Sequence, residues 1–290
     1  MALFEYFPNY IWNLSLAIAM ESGATIGEIM DVVHPVKDAA NDGPDKGTQV
    51  FMASWNAKAE TLIELAAEDE ARGRNFSAGA KLQRAALYLF NGERMLAHGA
   101  PGRLEAFKKA QATFGRAMKL SGENCERVEI PIEGGTMPAL YTRAAGEGQK
   151  PVVVFCNGLD SNKELLYWTQ LPKALARRGI SSLCVDQPGT GETLRLQNIP
   201  ATPFSEQWAS KSVDWLEQQP ETDPKRIGMT GISLGGHYVP RAVAYEPRFA
   251  SASVWGANHN WAEVQQKRIR REGDEALQCQ ASRDVLDMRV

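Results

Sequence analysis

The sequence predicts an α/β protein in which a mostly parallel, doubly wound sheet follows an all-helical region. Three observations predict it. Apolar residues recur at helical spacing up to about residue 122. From about residue 123 the pattern turns to short apolar runs alternating with amphipathic stretches. A serine then stands among small residues where one such run gives way to a helix, in Gly231-Ile232-Ser233-Leu234-Gly235.

The helical region is read first. Residues 55–71 carry Trp55, Ala59, Leu62, Ile63, Ala66 and Ala67 on one face. Residues 80–96 repeat the pattern with Leu82, Ala85, Ala86, Leu89 and Phe90, and 104–120 with Phe107, Phe114 and Met118. Gly73, Gly79, Gly99-Ala100-Pro101 and Gly122 punctuate them. No residue signature repeats at a fixed period, so a helical-repeat array is not supported. Residues 38–47 are a polar loop. Residues 11–20 are apolar but too short to span a bilayer, and no basic segment precedes them as in a secretory signal. They read as a helix packed on protein, and a cytoplasmic location follows.

Strands alternate with helices in the second part. Residues 125–133 and 136–143 read as two strands joined across Gly134-Gly135. Residues 151–156 are a continuous apolar run, as in a central parallel strand. Then come a helix at 165–178, a strand at 180–185, a helix at 204–218, and strands at 226–230 and 250–255. The domains expected are therefore 1–122, helical and contributing a cap or cleft wall, and 123–290, the sheet core.

Composition narrows the classes. In 290 residues, 43% are hydrophobic, 23% are charged and the formal net charge is -3. That charge gives no case for nucleic acid or an anionic membrane as partner. The four cysteines, at 125, 156, 184 and 279, form no close pair. Cys156 and Cys184 sit in apolar runs as buried thiols. No ligand cluster has metal spacing, so neither metal nor cofactor is expected.

The serine carries the chemistry. Ser233 is either an ordinary turn serine or the nucleophile elbow of an α/β-hydrolase core, and its strand–turn–helix context favours the elbow. Small neighbours let the backbone turn sharply there. A serine hydroxyl needs a base to become nucleophilic. The oxyanion that follows needs two backbone N–H groups. Leu234 supplies one, and Leu159, in the strand-exit turn Asn157-Gly158-Leu159-Asp160, supplies the other. The loop from Asp186 to Glu192 is rigid and structural, since no Walker Lys-Ser/Thr follows its glycines. His259 lies just past a strand and leads as the base; His237, on the helix after Ser233, is the alternative or a packing residue. His34 and His98 belong to the helical half. No histidine follows the late acids Asp274, Asp284 and Asp287, so the serine–acid–histidine order is not completed.

The segments 157–164, 186–192 and 231–236 together resemble one branch of α/β-hydrolases. That branch contains 2,6-dihydroxypseudooxynicotine hydrolase and the fungal hydrolases that shorten naphthopyrone polyketides. The resemblance covers most of 1–270 and implies an α/β-hydrolase core behind a helical region. It implies cleavage of a carbon–carbon bond beside a ketone in an aromatic or polyketide-like small molecule, or of an ester. Ser233 matches the branch's nucleophile and Glu263 its additional glutamate. The branch's last strands, aspartate and final histidine are not found by residue 290. The expectations are then a shortened chain with reduced or unusual catalysis, or a non-catalytic hydrolase-like binding protein. A peptidase or acyltransferase using the same nucleophile is the third class. A sheet ending at 250–255 has an open edge, which predicts a homodimer.

Overall fold

The computed structural model describes residues 6–8, 10–39, 47–256, 260–263 and 266. The chain forms two compact units, the first ending at Glu123 and the second beginning at Asn124.

The first unit contains helices α1 (Tyr10–Glu21), α2 (Ile26–Val33), α3 (Thr48–Ala71), α4 (Asn75–Glu93) and α5 (Arg103–Leu120). Along α3, Phe51, Met52, Trp55, Ala59, Leu62 and Ala66 are buried at steps of three and four, which is one helix face. That stripe extends the helix back to Thr48, ahead of the expected start at 55. It meets α4, which packs in turn on α5. Rings run through this core: Phe7 to Trp12 at 5.0 Å, Trp12 to Phe51 at 4.4 Å, Phe51 to Trp55 at 5.8 Å and Trp55 to Tyr88 at 5.3 Å between centroids. Buried Glu93 accepts from Arg103 Nε at 2.9 Å, tying the end of α4 to the start of α5. Helix α2, capped by Thr25 Oγ1, was not expected, because eight residues hold barely two turns of periodicity.

Among the described residues the second unit is a six-stranded mixed sheet with flanking helices. Its strands are β1 (Glu126–Ile132), β2 (Gly135–Thr142), β3 (Lys150–Cys156), β4 (Ser181–Val185), β5 (Thr222–Ile232) and β6 (Phe249–Trp255), in the order β1-β2-β4-β3-β5-β6. The β1–β2 hairpin is antiparallel, and β2 joins β4 antiparallel. The pairs β3–β4, β3–β5 and β5–β6 are parallel. All five residues of β4 are buried, as a strand covered on both faces requires. Val152, Val154, Leu183, Val185, Ile227 and Met229 form the sheet's core with Trp208, Leu216 and Val239 from its helices. Strand β6 differs: only Phe249 is buried, and among the described residues its outer edge pairs with no strand.

The helices of this unit are α6 (Lys163–Trp168), α7 (Leu171–Ala176), α8 (Gly191–Gln197), α9 (Ser205–Glu217) and α10 (Leu234–Tyr245). The single helix expected over 165–178 is two. Pro172 has no N–H for a carbonyl one turn back, and Gln170 before it takes φ 64°. The expected loop at 186–192 already contains the first two residues of α8, Gly191 and Glu192. Among the described residues no helix is long and apolar enough to cross a membrane.

Candidate active site

Strand β5 ends at Ile232, and α10 starts at Leu234. Ser233 alone joins them, at φ 55° and ψ −112°. That backbone conformation is unfavourable for an L-residue, costing about 1–3 kcal/mol. Its side chain is exposed. The glycines explain why the turn can be so tight. A Cβ on Gly231 would lie 2.4 Å from the carbonyl carbon of Gly235, and one on Gly235 would lie 2.6 Å from the carbonyl oxygen of Cys156. The helix returns over the strand ends too closely for any side chain at either place. The Ser233 N–H donates to Trp255 O at 2.8 Å, fastening the turn to the end of β6.

The turn after β3 reaches the same place, because β3 is the parallel neighbour of β5. A Cβ on Gly158 would stand 3.3 Å from Ser233 Cβ and 3.8 Å from its Oγ. Ser161 N–H donates to Gly158 O at 3.3 Å, closing the turn. In a trans peptide this leaves the Leu159 N–H on the opposite side. Among the described residues it has no acceptor. Nor has the Leu234 N–H, which as the first helical residue lacks an intrahelical partner. Two N–H groups without an acceptor among the described residues thus lie on the two elements that meet at the exposed Ser233, an arrangement able to hold negative charge on a substrate oxygen.

The loop between β4 and α8 stands behind that turn. Lys163 Nζ, fully buried, contacts Glu164 at 2.9 Å, Asp186 at 3.1 Å and Glu192 at 2.8 Å. Burial opposes the lysine's charge, but the three carboxylates outweigh it and hold its pKa above the ordinary value. Burial raises Glu164, and Lys163 only partly offsets this. Burial also works upward on Glu192, where Lys163 and Arg127 prevail and keep it ionised to lower pH. The Cys156 thiol is pushed up by burial and is no nucleophile.

The structure thus brings Ser233, Leu234 and the turn carrying Leu159 together. Glu263 lies on a helical turn at 261–263, where its backbone N–H donates to Asn260 Oδ1 at 3.1 Å and its side chain is exposed. His259, Asp274, Asp284 and Asp287 lie outside the described residues. His237 is half-buried, its ring 6.4 Å from that of Trp261. His34 and His98 are exposed residues of the first unit. Sequence reasoning missed Trp255, whose backbone serves the elbow, and Gln187, whose amide holds the β3 exit turn; neither role leaves a signature in residue type. Among the described residues no group of three or more His, Cys, Asp or Glu stands ready for a metal ion.

A family model described as Esterase FrsA-like matches residues 48–283. Alpha/beta hydrolase xenA of Xenoacremonium sinensis is 30% identical over 264 residues, which are 85% of this chain and 59% of that protein. 2,6-Dihydropseudooxynicotine hydrolase of Paenarthrobacter nicotinovorans is 31% identical over 223 residues, 75% of this chain and 57% of that protein. The chain thus spans less than two thirds of the length of these curated relatives. They fall in the branch that the three motifs resemble. A crystal structure of 2,6-dihydroxy-pseudo-oxynicotine hydrolase superposes with a TM-score of 0.69 at 22% identity, over 95% of this chain and 78% of that one. That likeness is one of fold.

Proposed function

Because the chain belongs to the FrsA-like esterase family, we propose that it is a serine hydrolase cleaving a ketone-adjacent carbon–carbon bond in an aromatic or polyketide-like small molecule. Ser233 Oγ attacks the ketone carbon, and a base takes the hydroxyl proton. The oxygen that becomes negative is held by the N–H groups of Leu159 and Leu234. When the tetrahedral intermediate collapses, the carbon–carbon bond breaks and its electron pair stays on the departing carbon. Glu263 protonates that carbon. Water then adds to the acyl-enzyme and releases the acid. His259 is the base in this reading.

One observation carries the proposal: Ser233 is exposed in a strained backbone conformation, where it meets two elements whose Leu159 and Leu234 N–H groups have no acceptor among the described residues. Its relatives supply the choice of bond. The matching family's own description names an esterase, and that favours a second reading, hydrolysis of a carboxylic ester by the same first step. A homodimer joined along the edge of β6 that has no strand partner among the described residues belongs to the proposal, and sedimentation velocity showing only monomer at high concentration removes it.

A fluorophosphonate tests the nucleophile. Serine Oγ displaces fluoride from phosphorus while the serine proton passes to the base, leaving a stable adduct. Mass mapping is expected to find that adduct on Ser233 alone, and to find none in Ser233→Ala. An adduct mapped to another residue removes the assignment. Product analysis on paired aromatic ketone and ester substrates then separates the two bonds.

A further inference from the structure

The two proposed oxyanion donors come from separate elements, so something must hold them in register. The fully buried carboxamide of Gln187 ties one of these elements to the loop after β4. Asn157 N–H donates to its Oε1 at 2.9 Å, and its Nε2 donates back to Asn157 O at 2.9 Å. Both peptide planes of Asn157 are thereby fixed, in the way a neighbouring strand would fix them. The parallel register of β3 and β4 runs out one residue earlier, at Cys156 and Val185, so the side chain continues the ladder where backbone no longer can. Gln187 and Asn157 are both fully buried, so each bond forms away from competing water.

The same carbonyl meets the helix. A Cβ on Gly235 would lie 2.8 Å from Asn157 O. Asn157 is thus wedged between Gln187 and the first turn of α10, the turn that carries the Leu234 N–H. The other end of the turn is held by Asp186. Its Oδ1 accepts from Asn157 Nδ2 at 3.0 Å and from Lys163 N–H at 2.6 Å. Its Oδ2 accepts from Lys163 Nζ at 3.1 Å and from Glu192 N–H at 2.8 Å. A Cβ on Gly191 would fall 2.1 Å from that carboxylate, so only glycine lets the loop close around it.

We propose that Gln187 is a positioning residue of the oxyanion site, its paired bonds to Asn157 setting where the Leu159 N–H points relative to that of Leu234. The inference rests on the reading of Leu159 and Leu234 as the oxyanion donors. It assigns Gln187 no contact with substrate.

The test uses the 290-residue chain with Gln187→Met, which removes both bonds, and Gln187→Glu, which keeps the size and loses the Nε2 donor. Thermal melting selects the folded variants, and either one alone suffices. Backbone amides of residues 156–162 should exchange about tenfold faster or more, with those of β5 unchanged. The rate of Ser233 phosphonylation should fall about tenfold or more, because a displaced donor no longer meets the developing charge. A folded variant with parental exchange, or with faster exchange and a parental labelling rate, overturns the role of Gln187. A parent chain that takes no label at Ser233 overturns the nucleophile reading itself, and the catalytic meaning of Gln187 with it.

Discussion

The carbonyl oxygen of Trp255 accepts the backbone N–H of Ser233 at 2.8 Å, one residue beyond the register pair formed by Ile232 and Trp255. Strand β6 therefore ends by gripping the residue that has just left β5. The bond uses the donor that Ser233 would otherwise turn toward the start of α10. The first unpaired N–H of the helix is then that of Leu234. An edge strand with six exposed residues is in this way part of the elbow.

The elbow's tolerance is set by Gly235. Alanine there puts a methyl group 2.6 Å from Cys156 O and 2.8 Å from Asn157 O, both backbone atoms that cannot turn aside. Gly235→Ala should destabilise the chain by about 1–3 kcal/mol, the usual cost of overpacking. It should also slow phosphonylation of Ser233, since relief of the clash moves Leu234 away from the turn at Leu159. Urea unfolding and labelling rates check this together. A parental midpoint with a parental rate shows that the helix shifts without cost.

Much of this was legible in the sequence. The Gly-x-Ser-x-Gly spacing declares itself because two backbones approach too closely for a Cβ, a steric demand that residue type alone satisfies. Strands β3 and β4 were legible because burial on both faces makes them wholly apolar runs or nearly so. Helix α2 was too short to show a period, and the break between α6 and α7 rests on the single proline at 172. The clamp of Gln187 on Asn157 was not legible, because the partners lie thirty positions apart and a glutamine after a strand has no special pattern. The reading of Glu263 as a site acid rests on resemblance alone.

The charge cluster yields a stability prediction. Lys163 Nζ is the cation shared by Glu164, Asp186 and Glu192, and it is completely buried. Lys163→Met leaves those carboxylates facing one another without their shared cation, while Arg127 still meets Glu192. Breaking a buried pair in this way typically costs about 3–5 kcal/mol. Adding Glu192→Gln should recover part of the loss, because it removes one stranded charge. Denaturant midpoints of the single and double variants decide it. A single variant as stable as the parent shows that the cluster contributes nothing net.

Acid sensitivity should centre on Glu246, which ends α10. Its Oε1 accepts from Arg248 N–H at 3.0 Å and Nε at 2.9 Å, and its Oε2 accepts from Nη2 at 2.7 Å. The Arg248 guanidinium holds the carboxyl down to about 2, against an ordinary 4.5. A carboxylate depressed in the folded state stabilises fully above its unfolded pKa, and this is lost as pH falls through the folded one. Glu246→Gln should therefore melt a few degrees below the parent at neutral pH. The gap should narrow between pH 4.5 and pH 2. A gap that stays constant across that window assigns the effect to geometry rather than to charge.

The base is the last point, and histidine placement makes it testable. His259 lies outside the described residues, four positions beyond Trp255, whose carbonyl holds Ser233. His237 stands on α10 with its ring 6.4 Å from that of Trp261, as expected of a packing residue. The base that activates Ser233 takes its hydroxyl proton, so removing that imidazole should stop the labelling of Ser233. His259→Gln should abolish nearly all labelling, while His237→Gln should keep it. The opposite result makes His237 the base. Full labelling in both variants shows that neither imidazole takes the proton, and that a different group activates Ser233.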